Sequence, residues 1–145
     1  MLKTEIIHPE LIYALARAGH GSRILITDSN YASDIFASES ATRVYLNFMP
    51  GKLLVTEIME GLLATLPIEN AYSMLTDDNQ DAAIVQHFDD LLPAKAERKA
   101  LKRDDFYAMA KDRQTSIVIV SGDQRLFANI ILTVGFIHPD GTPEH

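Results

Sequence analysis

Residues 18–28 read Ala18-Gly19-His20-Gly21-Ser22-Arg23-Ile24-Leu25-Ile26-Thr27-Asp28. The almost continuously apolar run Arg23–Thr27 predicts a strand that is covered on both faces. Residues 9–18 predict a helix, because Pro9 suits the first helical position and Gly19 can take the left-handed conformation that ends many helices. A helix that leads into a buried strand is typical of an α/β fold, and it places His20 in the turn between the two elements.

The rest of the chain continues this alternation of helices and strands. Strands are expected at 42–47, 71–75, 116–120 and 129–134, and helices at 52–65, 81–101 and 103–110. Within 81–101 we expect one or two surface helices, broken near Pro93. The last strand is expected beside strand 116–120, the polar stretch 29–40 is expected to be a loop that folds over a pocket, and 137–145 is expected to be a terminal tail. We therefore predict a single compact α/β domain over residues 1–145, with a central sheet flanked by helices.

Composition excludes several classes of protein. The 145 residues have a formal net charge of -7, and the basic residues are scattered apart from one cluster in 95–103, which argues against a nucleic-acid-binding protein. The chain has no cysteine, so it has neither a disulfide framework nor a thiolate metal site. No apolar run is long enough for a membrane span, and the first residues do not have the pattern of a signal peptide. We expect a cytoplasmic protein that needs no metal or other cofactor.

His20 and Asp28 are the first candidates for chemistry. A histidine titrates near neutral pH and can move a proton in either direction, while a carboxylate can bind a hydroxyl group or orient an imidazole. The simpler interpretation is that both side chains bind local backbone groups at the ends of a helix and a strand. They meet only if His20 folds back over the edge of the sheet or if another chain supplies one of them.

Three further side chains have two interpretations each. Arg103 either pairs with Asp104 and Asp105 or lies in a polar pocket. Tyr107 is either a core residue of an amphipathic helix or a phenolic donor. Asn129 either binds backbone at the start of a strand or offers an amide to a hydroxylated compound.

Other sites are not indicated. The remaining histidines, His8, His87, His138 and His145, are interpreted as solvated surface residues, and no pair has the helical spacing of a zinc site. Ser121-Gly122-Asp123 follows a buried strand but lacks the G-x-S-x-G pattern of a nucleophilic serine. The seven glycines are dispersed, so no phosphate-binding loop is present.

Several of these motifs together resemble one family. They are Gly19-His20-Gly21 before a strand ending in Asp28, Arg103 followed by Phe106-Tyr107, and the closing stretch from Ser121-Gly122 to Phe127-Ala128-Asn129-Ile130-Ile131-Leu132. The chain is similar over about residues 2–136 to the D-ribose pyranase and L-fucose mutarotase family. The stretch 52–65, Arg103 and the Phe106-Tyr107 pair are more like the fucose branch than the ribose branch.

The resemblance implies a function and an assembly. It implies an α/β fold that forms a ring-shaped oligomer, commonly a decamer of two stacked pentamers, with monosaccharide sites where subunits meet. Such an assembly would bring His20 near Asp28 without requiring contact within one chain. By the same resemblance His20 is the acid/base, Asp28 and Arg103 bind sugar hydroxyls, and Asn129 contacts the sugar.

One position departs from the family pattern. Where the family usually has tyrosine two residues before the asparagine, this chain has Phe127, which fills the space but cannot transfer a proton. A water molecule, Tyr107 or Tyr31 would then have to supply the missing donor. The sequence therefore indicates a sugar mutarotase of altered activity or preference. The alternatives are a sugar-binding or regulatory protein without turnover and, more weakly, a structural oligomer.

Overall fold

A six-stranded mixed sheet forms the centre of the computed structural model, which describes residues 2–144. In chain order the elements are α1 (Pro9–Arg17), β1 (Arg23–Thr27), β2 (Thr42–Tyr45), α2 (Val55–Leu63), β3 (Ile68–Met74), α3 (Val85–Leu91), β4 (Glu97–Leu101), α4 (Arg103–Lys111), β5 (Thr115–Val120), β6 (Ile130–Val134), β7 (Phe136–Ile137) and β8 (Pro143–Glu144). The sheet has the order β2-β5-β1-β6-β3-β4, and β6 runs antiparallel to both of its neighbours. This is the α/β architecture that the sequence predicts.

The strands alternate their side chains between two apolar layers. Ile24 and Ile26 of β1 pack into the core on the side of α1, α2 and α3. Leu25 points the other way and packs with Phe106 of α4, and all four side chains are fully buried. Because both faces of β1 are covered, its sequence is apolar throughout rather than alternating.

The opening of the chain follows the prediction closely, with one exception. Helix α1 begins at Pro9, and β1 has the predicted bounds. The left-handed conformation assigned to Gly19 is wrong, because it occurs at Gly21, which has φ +81°. Helix α1 instead ends in extended backbone at Ala18, and the turn that follows places the left-handed residue at Gly21.

Two other expectations about the second half of the chain are corrected. Only the first part of 81–101 is helical, as α3, and Glu97–Leu101 is the edge strand β4, parallel to β3. Glu97 and Lys99 are exposed, while the largely buried Arg98 side chain pairs with Asp81 and Asp89 at the surface. The final strand, β6, lies between β1 and β3 and not beside β5, because its fully buried sequence suits a position at the centre of the sheet.

The end of the chain forms a small hairpin. Strands β7 and β8 pair antiparallel, so the segment predicted as a tail is folded through Glu144. A side chain at Gly135 would meet the carbonyl oxygen of Glu144 at 2.3 Å, which shows how closely the hairpin packs on itself. Across residues 2–144, every helix is too short or too polar to cross a bilayer.

Candidate functional site

One edge of the sheet collects polar side chains from several strands. The carboxyl ends of the five mutually parallel strands lie there, and β6 begins there because it runs the opposite way. Asp28 follows β1, Arg103 follows β4, and Asn129 precedes β6. Ligand sites of α/β sheets are commonly found at such an edge, since the loops that leave it converge in space.

Asp28 and Asn129 form a doubly bonded pair at this edge. The Asn129 amide nitrogen donates to Oδ2 of Asp28 at 2.9 Å, and the Asp28 backbone N–H donates to Oδ1 of Asn129 at 2.9 Å. The backbone N–H of Asn30 donates to the other carboxylate oxygen. Burial raises the pKa of Asp28, while these hydrogen bonds act to lower it. The pKa of Asp28 is raised overall, so Asp28 is a buried carboxyl group that a fixed amide holds in place.

Phe127 and Arg103 extend the same cluster. Phe127 lies two residues before Asn129 and has φ +59°, an uncommon conformation for an aromatic residue. The Arg103 guanidinium carbon lies 5.8 Å from the centre of the Phe127 ring, within the range of a cation–π contact. Arg103 also pairs with Asp77 at 2.6 Å and keeps about half of its side chain exposed. Its ion-pair partner is thus Asp77 and not Asp104 or Asp105.

Tyr107 lies in an aromatic group beside this edge. Its ring stacks on Phe36 with centres 4.1 Å apart and meets Tyr31 edge-on at 5.7 Å. The Tyr31 hydroxyl donates to the carbonyl oxygen of Phe36 at 2.6 Å, and burial raises the pKa of Tyr31. The predicted loop 29–40 is therefore anchored by aromatic contacts, and the Tyr31 proton is directed at the loop's own backbone.

The turn after β5 hydrogen-bonds to the residues on either side of Asp28. Ser121 donates its hydroxyl to the carbonyl oxygen of Thr27, and the Asp123 carbonyl oxygen accepts from the N–H of Ser29. Asp123 is fully buried, which acts to raise its pKa, but hydrogen bonds from Arg125 and from the N–H of Val55 lower the pKa overall. The Ser121–Asp123 turn thus has a structural role in fixing the loop after β1.

His20 lies at the opposite edge of the sheet. It precedes β1 whereas Asp28 follows it, and a five-residue strand spans roughly 16 Å. The His20 side chain is about half exposed, and its Nε2 lies 3.0 Å from Oε2 of Glu69. Within one chain His20 therefore does not fold back over the edge, and it does not meet Asp28, Asn129, Arg103 or Phe127.

A mainly apolar pocket of about 460 Å³ adjoins the carboxyl edge. Phe127 and Leu126 line one side and Ile84 another, and Thr76 and His87 contribute polar groups. Another depression, of about 520 Å³, lies between loop 29–40 and the end of α4, and it contains none of the predicted site residues. The first pocket shares Phe127 with the cluster at the carboxyl edge.

Sequence reasoning missed two carboxylates of this arrangement. Asp77 pairs with Arg103 and lies in the loop after β3. It could have been found by the rule that the loops after parallel strands meet at one edge of the sheet. Glu69, the partner of His20, lies at the start of β3, 49 residues away in sequence. No local pattern distinguishes it from other glutamates at strand ends.

Comparison with known proteins gives a consistent result. A sequence model of the RbsD / FucU transport protein family matches residues 1–137. The chain is 25% identical over 144 residues to fucose mutarotase from Mus musculus, covering 90% of each protein. It is 28% identical over 135 residues to D-ribose pyranase from Streptomyces coelicolor, covering 93% of this chain and 98% of that protein. The structure of Bacillus subtilis RbsD complexed with D-ribose superposes with a TM-score of 0.81 at 20% identity, covering 95% of this chain and 100% of that one.

Proposed function

The chain belongs to the RbsD / FucU transport protein family, and from this premise we propose that it is a monosaccharide mutarotase. The main support is the buried Asp28–Asn129 pair, which lies at the same carboxyl edge of the sheet as Arg103. A carboxylate, an amide and a guanidinium together offer acceptors and donors in fixed directions, which suits a ligand with several hydroxyl groups. In this proposal Asp28, Arg103 and Asn129 bind sugar hydroxyls, and Phe127 and Tyr107 bound the site.

The proposed reaction opens and recloses a cyclic hemiacetal. A base takes the proton of the anomeric hydroxyl, the bond between the anomeric carbon and the ring oxygen breaks, and an acid gives a proton to the ring oxygen. Reclosure on the other face of the carbonyl returns the opposite anomer. We assign the base to His20, because an imidazole exchanges protons readily near neutral pH.

His20 can take this role only at an interface between copies of the chain. We propose a ring-shaped homo-oligomer, a decamer of two stacked pentamers, in which His20 of one protomer approaches the carboxyl edge of its partner. Exposed apolar side chains near both places support such a contact: Ile137 in the hairpin next to His20, and Phe48 and Leu126 in loops at the carboxyl edge. Exposed apolar residues of this kind commonly become buried on assembly.

We propose L-fucose as the substrate, and the exchange experiment described below also includes other monosaccharides. Arg103 and the Phe106-Tyr107 pair resemble the fucose branch, and relatives of both names match the chain at similar identity. We place the enzyme in the cytoplasm, where free monosaccharides are metabolised.

Anomer exchange measured by saturation-transfer NMR tests the activity. Wild-type protein should accelerate exchange of L-fucose, D-ribose or a close relative, and His20→Ala should lower that rate on the order of 10²–10⁴-fold while sugar binding persists. Absence of acceleration for every sugar tested would reject the mutarotase.

Subunit sharing is tested by mixing two inactive variants, His20→Ala and Arg103→Ala. If each site takes His20 from one protomer and Arg103 from its partner, random mixed assembly restores about a quarter of the sites. Recovery of no activity from assemblies shown to be mixed would reject a site that takes His20 and Arg103 from neighbouring protomers.

A second candidate function follows from Phe127. Because phenylalanine cannot transfer a proton, the site can bind a sugar without turning it over, as a binding or regulatory protein would. In that case His20→Ala changes affinity only, and wild-type protein binds sugar without accelerating exchange.

A further inference from the structure

The amino-terminal edge of the sheet contains an imidazole–carboxylate pair on a rigid support. His20 Nε2 and Glu69 Oε2 are 3.0 Å apart. The turn that holds His20 is fixed to the end of β6, because the N–H of Gly21 donates to the carbonyl oxygen of Val134 and the N–H of Val134 donates to that of Ser22. Glu69 follows Ile68, which is the register partner of Val134. Both side chains therefore come from backbone that is fixed by the same central strand.

A second contact fixes the plane of the imidazole. The Phe136 ring lies 5.1 Å from the His20 ring at an interplanar angle of 63°, an edge-to-face geometry. Phe136 belongs to β7 and is held in place by the pairing of β7 with β8. The family match ends at residue 137, so β8 lies beyond it.

The chemistry of the pair selects one tautomer of His20. An ionised carboxylate accepts hydrogen bonds and cannot donate them, so Glu69 requires the proton of neutral His20 to be on Nε2. Nδ1 then carries the free lone pair. Among residues 2–144, the His20 ring has one hydrogen bond, which is made by Nε2, and Nδ1 has no partner.

We propose that Glu69 is a positioning residue that holds His20 as the Nε2–H tautomer and so makes Nδ1 the atom that exchanges protons with the sugar. This inference rests on the proposed function of His20. Nδ1 accepts the proton of the anomeric hydroxyl as the C1 carbonyl forms and the bond from C1 to the ring oxygen breaks, and a water molecule gives a proton to that oxygen and becomes hydroxide. The resulting imidazolium is stabilised by the Glu69 carboxylate. When the ring recloses, the former ring oxygen attacks C1 and returns its proton to the hydroxide, while the imidazolium gives its proton to the carbonyl oxygen. A fixed tautomer raises the fraction of protein that is ready to react.

Nitrogen-15 NMR of the histidine rings tests the tautomer without any measurement of activity. Wild-type protein should show His20 mainly as the Nε2–H form at a pH where the ring is neutral. Glu69→Ala should remove this preference, and Glu69→Met, which keeps the length of the side chain but accepts no hydrogen bond, serves as a second variant if alanine impairs folding. Glu69→Gln should weaken the preference, because its amide can donate to Nε2 of the opposite tautomer as well as accept from Nε2–H.

Kinetics of the same variants test the consequence. Glu69→Ala and Glu69→Met should lower kcat on the order of 10- to 100-fold with little change in KM, which is less than the loss expected from removing the imidazole itself. Glu69→Gln should lower kcat as well, because its amide can hold the Nδ1–H tautomer, in which Nδ1 cannot accept a proton. The matched control is Glu10→Gln, which alters the pair of His8 Nδ1 and Glu10 Oε2, 3.3 Å apart at the start of α1, and should leave both kcat and the His20 tautomer unchanged.

The two proposals fail in different ways. An unchanged His20 tautomer in Glu69→Ala or Glu69→Met would overturn the role of Glu69, whatever the activity of the enzyme. A shifted tautomer with wild-type kcat would also overturn it. Absence of exchange by wild-type protein would instead reject the mutarotase, while the NMR result would still decide whether Glu69 sets the tautomer.

Discussion

The Asp28–Asn129 pair predicts a large loss of stability for the nearly isosteric substitution Asn129→Asp. The change replaces the amide donor that lies 2.9 Å from Oδ2 of Asp28 with an acceptor of negative charge. Both residues are almost fully buried. Two carboxylates then face each other where the wild-type protein has a hydrogen bond, so the variant should be destabilised at neutral pH.

The size of the effect follows from this geometry. Two full charges 2.9 Å apart, at an effective dielectric constant of about 20, repel by about 6 kcal/mol. The folded variant avoids this repulsion by keeping one proton, so the pKa of the pair rises above its unfolded value. The unfolded pKa is near 4, and holding the proton costs about 1.4 kcal/mol for each pH unit above that value. At pH 7, about three units higher, the loss of stability is therefore limited to about 4 kcal/mol.

The sign of the pH dependence is fixed by linkage. Between the unfolded and the folded pKa of the pair, the folded variant binds more protons than the unfolded chain. The stability of Asn129→Asp relative to wild type is therefore greatest below the unfolded pKa and decreases as the pH rises toward the folded pKa. The deficit should be large at pH 7 and small near pH 4.

Urea unfolding followed by circular dichroism between pH 4 and pH 8 measures this deficit, at one protein concentration because assembly contributes to stability. Asn129→Ala is the control, since it removes the amide donor without adding a charge and its cost should depend less on pH. A variant as stable as wild type at pH 7, or a deficit that does not shrink toward pH 4, would refute the buried pairing of Asp28 with Asn129.

Three shorter predictions concern neighbouring positions. Phe127→Tyr adds the missing phenolic donor and should raise the exchange rate on the order of 10²-fold, measured by saturation-transfer NMR, whereas an unchanged rate would place another donor at the ring oxygen. Gly122→Ala brings a Cβ within 2.1 Å of the Lys52 carbonyl oxygen and should cost about 1–3 kcal/mol in urea unfolding; an unaltered midpoint would contradict the close packing of this turn. Tyr31→Phe removes the hydrogen bond to the Phe36 carbonyl oxygen and should cost about 1 kcal/mol, and no loss would mean that water satisfies that oxygen equally well.

Much of the fold could be predicted from local sequence. The bounds of β1 were predicted correctly, and α1 and α4 were each placed to within a residue, because apolar periodicity and helix-start signals depend on neighbouring residues. Strand β4 was not predicted, because a charged edge strand has the composition of a surface helix. Its conformation depends on pairing with β3 and on the contact of Arg98 with Asp81 and Asp89.

The candidate site divides in the same way. The position of Asp28 could be predicted because it follows a strand, and the carboxyl ends of parallel strands lie at one edge. The resemblance indicated Arg103 and Asn129, because neither strand β4 nor the antiparallel direction of β6 was predicted. The sequence did not indicate that Asp77 would pair with Arg103, since that contact joins two loops distant along the chain.

The sequence by itself determined most of the elements, the alternation that makes an α/β fold, and the family to which the chain belongs. The tertiary structure decided that β6 enters between β1 and β3, which of the candidate residues share an edge, and that His20 lies at the other edge beside Glu69. The physical reason is the distance along the chain over which each interaction acts. Propensity and capping act over a few residues, whereas strand order and side-chain pairing follow from burying two apolar faces at once, a condition on the whole chain.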